Sequence, residues 1–265
     1  MTRYAFLRQP RWLALAFLVL LVVPSFLLLS RWQLSRLDQR RHYNAVVTQN
    51  AHAAPVPVDE VMTPGSGPIG DQQLWRQTTA TGHYDVSRQQ LVRKRPLDGE
   101  NGFWVATPLV TGSGAVLIVN RGWMKATGGA AATQDAPPPP TGEVTVTGRV
   151  RESEAAPPQP GDLPRGQVTD LDVALVGGSA DVYPGYVDLI GSQPAQADGL
   201  TATPVPDLSD GPHLSYAMQW IVFALVAIVG FVLLVRRERE YAHEESEAAA
   251  AGEAAPATTT HTDVA

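Results

Sequence analysis

Two long runs without a single charged residue, 12–29 and 214–235, constrain this 265-residue chain more than any other feature. At about 1.5 Å rise per residue, about 20 helical residues cross the roughly 30 Å of bilayer hydrocarbon. Each run therefore predicts a transmembrane helix, one toward each end, with the rest of the chain gathered between them. A secretory signal has a shorter apolar stretch, about 7–15 residues, and ends in a small-x-small cleavage site. The first run instead exits through Leu27-Leu28-Leu29-Ser30-Arg31-Trp32 and reads as a retained anchor. Pro24 inside it is tolerable in a membrane, where a neighbouring helix re-satisfies the backbone.

Charge placement orients the hairpin. Arg3, Arg8, Arg11, Arg236, Arg237 and Arg239 flank one pair of ends, against Arg31, Arg36, Arg40 and Arg41 at the other. The positive-inside bias then predicts both termini in the cytoplasm of a cell whose plasma membrane the chain spans twice. The expected division is 1–11 cytoplasmic, 12–30 first span, 31–213 extracytoplasmic domain, 214–235 second span and 236–265 cytoplasmic tail. Residues 42–213 hold ten Lys and Arg against eighteen Asp and Glu. Such an acidic body repels phosphate backbones, which argues against a nucleic-acid partner. The sequence has no cysteine, so disulfides, Cys-ligated zinc, iron–sulfur clusters and thiol nucleophiles are excluded.

Within the body, strands are expected at 75–84, 89–95, 102–109, 115–120, 144–150 and 186–190. Val144-Thr145-Val146-Thr147 alternates as a half-buried strand does, whereas Val116-Leu117-Ile118-Val119 is apolar throughout and should be covered on both faces. Residues 51–70 read as a Pro- and Gly-rich linker, and further such connectors lie at 126–142, 155–166 and 191–212. A short helix is expected at 170–176, with Thr169 as N-cap and Gly177 at its far end. The first helix should continue through 38–44, beyond the bilayer. The tail after Tyr241, short of apolar residues, is expected to be disordered. The fold class is thus two terminal transmembrane α-helices flanking a mainly antiparallel β domain, barrel- or sandwich-like, with one short helix.

Few motifs carry chemistry. Gly65-Ser66-Gly67-Pro68-Ile69-Gly70 matches G-x-G-x-x-G, but Pro64 and Pro68 deny it the strand and helix that a dinucleotide site needs. His213 stands just before the second span and shares a helical face with Tyr216, Ala217, Trp220 and Ala224. That group is either an interfacial aromatic belt or the surroundings of an iron-ligating imidazole. Asn120-Arg121-Gly122-Trp123 follows the most apolar strand and suits a tight turn that presents Arg121 at the sheet's rim. There Arg121 either pairs with an acid of the body or binds a carboxylate or phosphate.

The chain resembles the Surfeit-locus-one (Shy-one type) family of cytochrome c oxidase assembly factors. The resemblance runs from about residue 12 to 235 and is carried by Arg31-Trp32-Gln33-Leu34-x-Arg36, Gly82-His83-Tyr84 and Gly102-Phe103-Trp104-Val105-x-Thr107-Pro108-Leu109. The most specific strings are Val119-Asn120-Arg121-Gly122-Trp123 and His213-Leu214-x-Tyr216-Ala217-x-Gln219-Trp220. It implies a non-enzymatic role in respiratory-chain biogenesis, with haem–copper oxidase subunits and the lipid bilayer as partners. It also implies a haem chaperone that receives haem a for the catalytic subunit. On that reading His213 would ligate the haem iron, Tyr216 and Trp220 would line the macrocycle, and Arg121 would face a propionate. The alternative is a cofactor-free membrane scaffold that stabilises an oxidase subunit.

Overall fold

Leu117 and Val119 point one way from their strand and Val116 and Ile118 the other, and all four are buried. The computed structural model describes residues 5–127, 134–155, 163–178 and 181–253. It divides into a helical unit, Met1–Arg41 with Asp210–Ala265, and a sheet unit, His42–Ser209.

Among the described residues the sheet unit has eight strands: β1 (Val56–Pro57), β2 (Gln77–Tyr84), β3 (Gln90–Val92), β4 (Gly102–Thr111), β5 (Val116–Lys125), β6 (Val144–Glu152), β7 (Gln167–Val168) and β8 (Val182–Gln193). Five of them close on themselves in the order β2–β6–β8–β5–β4–β2, which makes a small barrel. Four of these joins are antiparallel and one, β5 with β8, is parallel. Inside lie Leu109, Leu117, Val119, Val146, Val150, Tyr183, Val187 and Leu189. On the outer face of β5, Ile118 and Val116 are covered by Leu171, Val173 and Val176. The latter two belong to a short helix, α2 (Val173–Gly177). Coverage on both faces is what the uninterrupted apolar run requires.

Closure depends on β2 changing partner midway. Its residues 77–82 pair with β6, and Gly82, His83 and Tyr84 pair with Thr111, Val110 and Leu109 of β4. A Cβ at Gly82 would sit 2.2 Å from the Val110 carbonyl oxygen, so only glycine lets the two backbones meet. Gly82→Val should cost about 1–3 kcal/mol, the usual range for overpacking. The check is a lowered thermal midpoint for the detergent-purified protein; an unchanged midpoint would show that the seam tolerates a side chain.

Several expectations need correction. β5 does not end at Asn120 but runs to Lys125, so Asn120-Arg121-Gly122-Trp123 is strand rather than turn. Trp123 and Thr201 exchange two backbone hydrogen bonds of 2.7 and 2.8 Å. Gly122, at φ +138, has the Thr201 carbonyl 2.7 Å from where a Cβ would be. The segment 51–70 is no free linker: β1 and a 3-10 turn at Val58–Glu60 lie in it, and Val58, Met62 and Ile69 are buried in the barrel core. The N-cap of α2 is Asp172, not Thr169, because its carboxylate accepts from the backbone of Ala174 and Leu175. Gly178, left-handed at φ +58, ends the helix.

The helical unit is built on α1 (Pro10–Ala51) and α3 (His213–Glu253), both long and apolar enough to cross a membrane. Their large apolar side chains are turned outward; Leu20, Phe17 and Val226 are 72%, 67% and 63% exposed. α1 outlasts its expected extension by seven residues, because Val47 and Ala51 find buried places beside Trp75. α3 carries on through the segment expected to be disordered, as far as Glu253. Ala, Glu and Arg favour helix without any burial. Pairs one turn apart, such as Arg237 with Tyr241 and His243 with Glu247, support it. The last part of that tail, 254–265, lies outside the described residues, as do 128–133 and 156–162 of the Pro-rich connectors.

Candidate functional site

In the helical unit the contacts step in opposite directions along the two helices. Trp12 meets Phe231 edge-on, Phe26 stacks on Trp220 at 5.5 Å, and Gln33 reaches His213. This is an antiparallel hairpin, with Ala217 and Ala224 buried where close approach needs small side chains. His213 is the first residue of α3 and half-buried. Its Nδ1 lies 2.9 Å from Gln33 Oε1. An amide oxygen only accepts, so Nδ1 is the donor in this bond, and Nε2 is the ring nitrogen outside it. A hydrogen bond at one ring nitrogen is how proteins orient an imidazole whose other nitrogen binds a metal. Tyr216, one turn on, is 46% exposed. Trp220 is more committed: it stacks on Phe26, and the Phe223 ring meets it at 80°.

Arg121 belongs to the sheet unit. The structure does not place it at a rim: it is 1% exposed, on the inward series of Leu117 and Val119. Its Nη1 donates to Gln89 Oε1 at 3.1 Å and to the Pro137 carbonyl at 2.8 Å. Gln89 Oε1 also accepts from Thr107 at 2.9 Å. Burial lowers the Arg121 pKa and pushes that of Tyr84, whose ring centroid is 5.9 Å from the guanidinium, up to about 12.

The reading of the residues overlooked a second charged centre beside it. Asp188, 2% exposed, accepts from Arg151 Nη1 at 2.8 Å and from Asn120 Nδ2 at 2.7 Å. Burial raises the Asp188 pKa, opposed by the Arg151 charge and the Asn120 bond. The signal was present in Tyr186-Val187-Asp188-Leu189-Ile190, where one acid interrupts an apolar strand. Arg151 also lies 4.1 Å over the Trp75 ring. Trp75, Trp104 and Trp123 line an open cleft of ≈ 390 Å³ with Arg151 and Pro206. Among the described residues, no three His, Asp or Glu side chains converge to hold a metal ion.

A closed barrel, together with a hairpin of two helices long and apolar enough to cross a membrane, defines a class of barrel proteins with terminal apolar helices. Comparison with known proteins narrows it. The model of the SURF1 family matches residues 20–225, from within the first apolar helix to within the second. SURF1-like proteins of Mycobacterium tuberculosis and Mycobacterium bovis are 34% identical over 242 residues, 87% of this chain and 85% of theirs. The cytochrome oxidase assembly protein SHY1 of Saccharomyces cerevisiae is 26% identical over 97 residues, 36% of this chain and 24% of its own length. The chain belongs to the SURF1 family.

Proposed function

We propose that this protein is a membrane-anchored assembly factor for a haem–copper cytochrome oxidase, and that it holds haem a as cargo for the catalytic subunit. Membership of the SURF1 family, together with the likeness to a yeast protein named for cytochrome oxidase assembly, supports the first part. The oriented His213 supports the second, because its Nε2 is free to ligate iron while Gln33 holds the ring. Tyr216 would cover one side of the macrocycle, and Trp220 would offer the ring edge left outside its stack. The protein's task is binding and hand-off rather than turnover. The two apolar helices would cross the plasma membrane with both termini cytoplasmic and the barrel outside.

Two experiments test this. Alkaline phosphatase fused after Gly142 should be active and after Arg237 inactive; the opposite pattern would invert the topology. Detergent-purified protein from cells making haem a should show a haem Soret band. Haem-free protein from the same cells would favour a cofactor-free scaffold acting on oxidase subunits. The Trp220–Phe26 stack supports that second reading, since it gives the tryptophan a packing role.

A further inference from the structure

Two of the family strings, Gly82-His83-Tyr84 and Asn120-Arg121-Gly122-Trp123, meet inside the barrel, and neither is used up by the haem reading. Arg121 is one of the largest fully buried side chains in the protein. Only its Nη1 has acceptors; Nε and Nη2 are buried without any, and so is the Tyr84 hydroxyl. Among the described residues no carboxylate pairs with this guanidinium, whereas Arg95 and Arg151 each hold one. A buried cation with no counter-ion and two of its three nitrogens unbonded is heavily penalised.

We propose that the barrel interior binds a carboxylate-bearing ligand between Arg121 and Tyr84. Nε and Nη2 are the side-on edge of the guanidinium, the pair that grips two oxygens of one planar group. The Tyr84 hydroxyl supplies a third donor. Two N–H groups and one O–H match the two oxygens and single charge of a carboxylate. A phosphate dianion would bring a second charge and more oxygens than these donors serve. Gln89 and Pro137 hold Nη1, which leaves Nε and Nη2 as the buried, unbonded edge of the fork. Both lie outside the strands, in connecting segments of the chain. A haem propionate is one carboxylate that would fit, but the site requires only the carboxylate.

The test is thermal unfolding of the full-length protein in detergent, with chloride replaced by acetate or butyrate at constant ionic strength. A ligand bound only by the native state raises the midpoint with the logarithm of its concentration. The wild type should gain about 3–5 °C for each tenfold rise above Kd. Tyr84→Phe should need several-fold more carboxylate for the same rise, and Arg121→Met should show none. Phosphate at matched ionic strength should give less than either carboxylate. A flat wild-type curve would overturn the proposal, as would an equal slope in Tyr84→Phe at every concentration. If Arg121→Met fails to fold, those two outcomes still decide. Neither probe contains haem, so a flat curve leaves the His213 reading standing, and haem-free purified protein leaves this one standing.

Discussion

Arg151→Met should destabilise the sheet unit by about 3–5 kcal/mol at neutral pH, the usual cost of removing one partner from a buried ion pair. The loss falls on Asp188, which at 2% exposure has no water to replace the 2.8 Å bond from Arg151. Arg151 is itself a quarter exposed, so removing Asp188 instead leaves a cation that the solvent still reaches. Burial already raises the Asp188 pKa, and Arg151 is the main force opposing that rise. Without Arg151 it rises further. A carboxyl that binds its proton more tightly folded than unfolded favours the native state below its unfolded pKa. That advantage is lost as pH climbs through the gap between the two values. The penalty of Arg151→Met should therefore shrink as pH falls. Denaturant melts of both proteins at pH 8 and pH 5 measure it, and a penalty independent of pH would refute the assignment to Asp188. Adding Asp188→Asn to Arg151→Met should recover much of the loss, since the neutral amide keeps the shape and needs no counter-ion.

How far the molecule was legible in its sequence follows from the range over which each signal acts. The apolar run Val116–Val119, the alternation from Val144 and the two uncharged runs are local patterns, and each element lies where its pattern indicates. The parallel pairing of β5 with β8 is different, because it joins strands separated by β6, β7 and α2, and no local pattern encodes it. Composition misled three times. Pro and Gly around 51–70 outweighed Val58, Met62 and Ile69, three apolar residues spaced to fill the barrel end. The scarcity of large apolar residues after Tyr241 hid a strong helix propensity. Asn-Arg-Gly-Trp has a turn's composition, yet Gly122 serves the close approach of Thr201 within a strand. At the site, His213 was visible as a lone imidazole at the head of a span. Its partner Gln33 lies 180 residues away, and only the folded hairpin brings the two together. Tyr84 and Arg121 likewise stood in separate strings until the barrel put both inside.

His213→Ala should cut the haem content and activity of the oxidase by roughly tenfold or more if the protein hands over haem, with the mutant protein at normal abundance. Abundance should hold because His213 is the first residue of α3, where alanine is well tolerated, and because its one hydrogen bond is to Gln33. What would be lost on that reading is the bond from the imidazole to the iron. Gln33→Leu provides a graded companion. It leaves Nε2 in place but removes the acceptor that fixes the ring, and losing such a partner usually costs 10- to 100-fold in metal affinity. Haem copurifying with the protein should fall in the order wild type, Gln33→Leu, His213→Ala. Trp220→Ala should differ in kind, lowering the amount of protein in the membrane, because it removes the stack on Phe26 that helps hold the two helices together. A His213→Ala strain with full oxidase activity would exclude haem ligation by this residue. The hairpin would then act as a scaffold, with His213 and Tyr216 as residues of its interfacial belt.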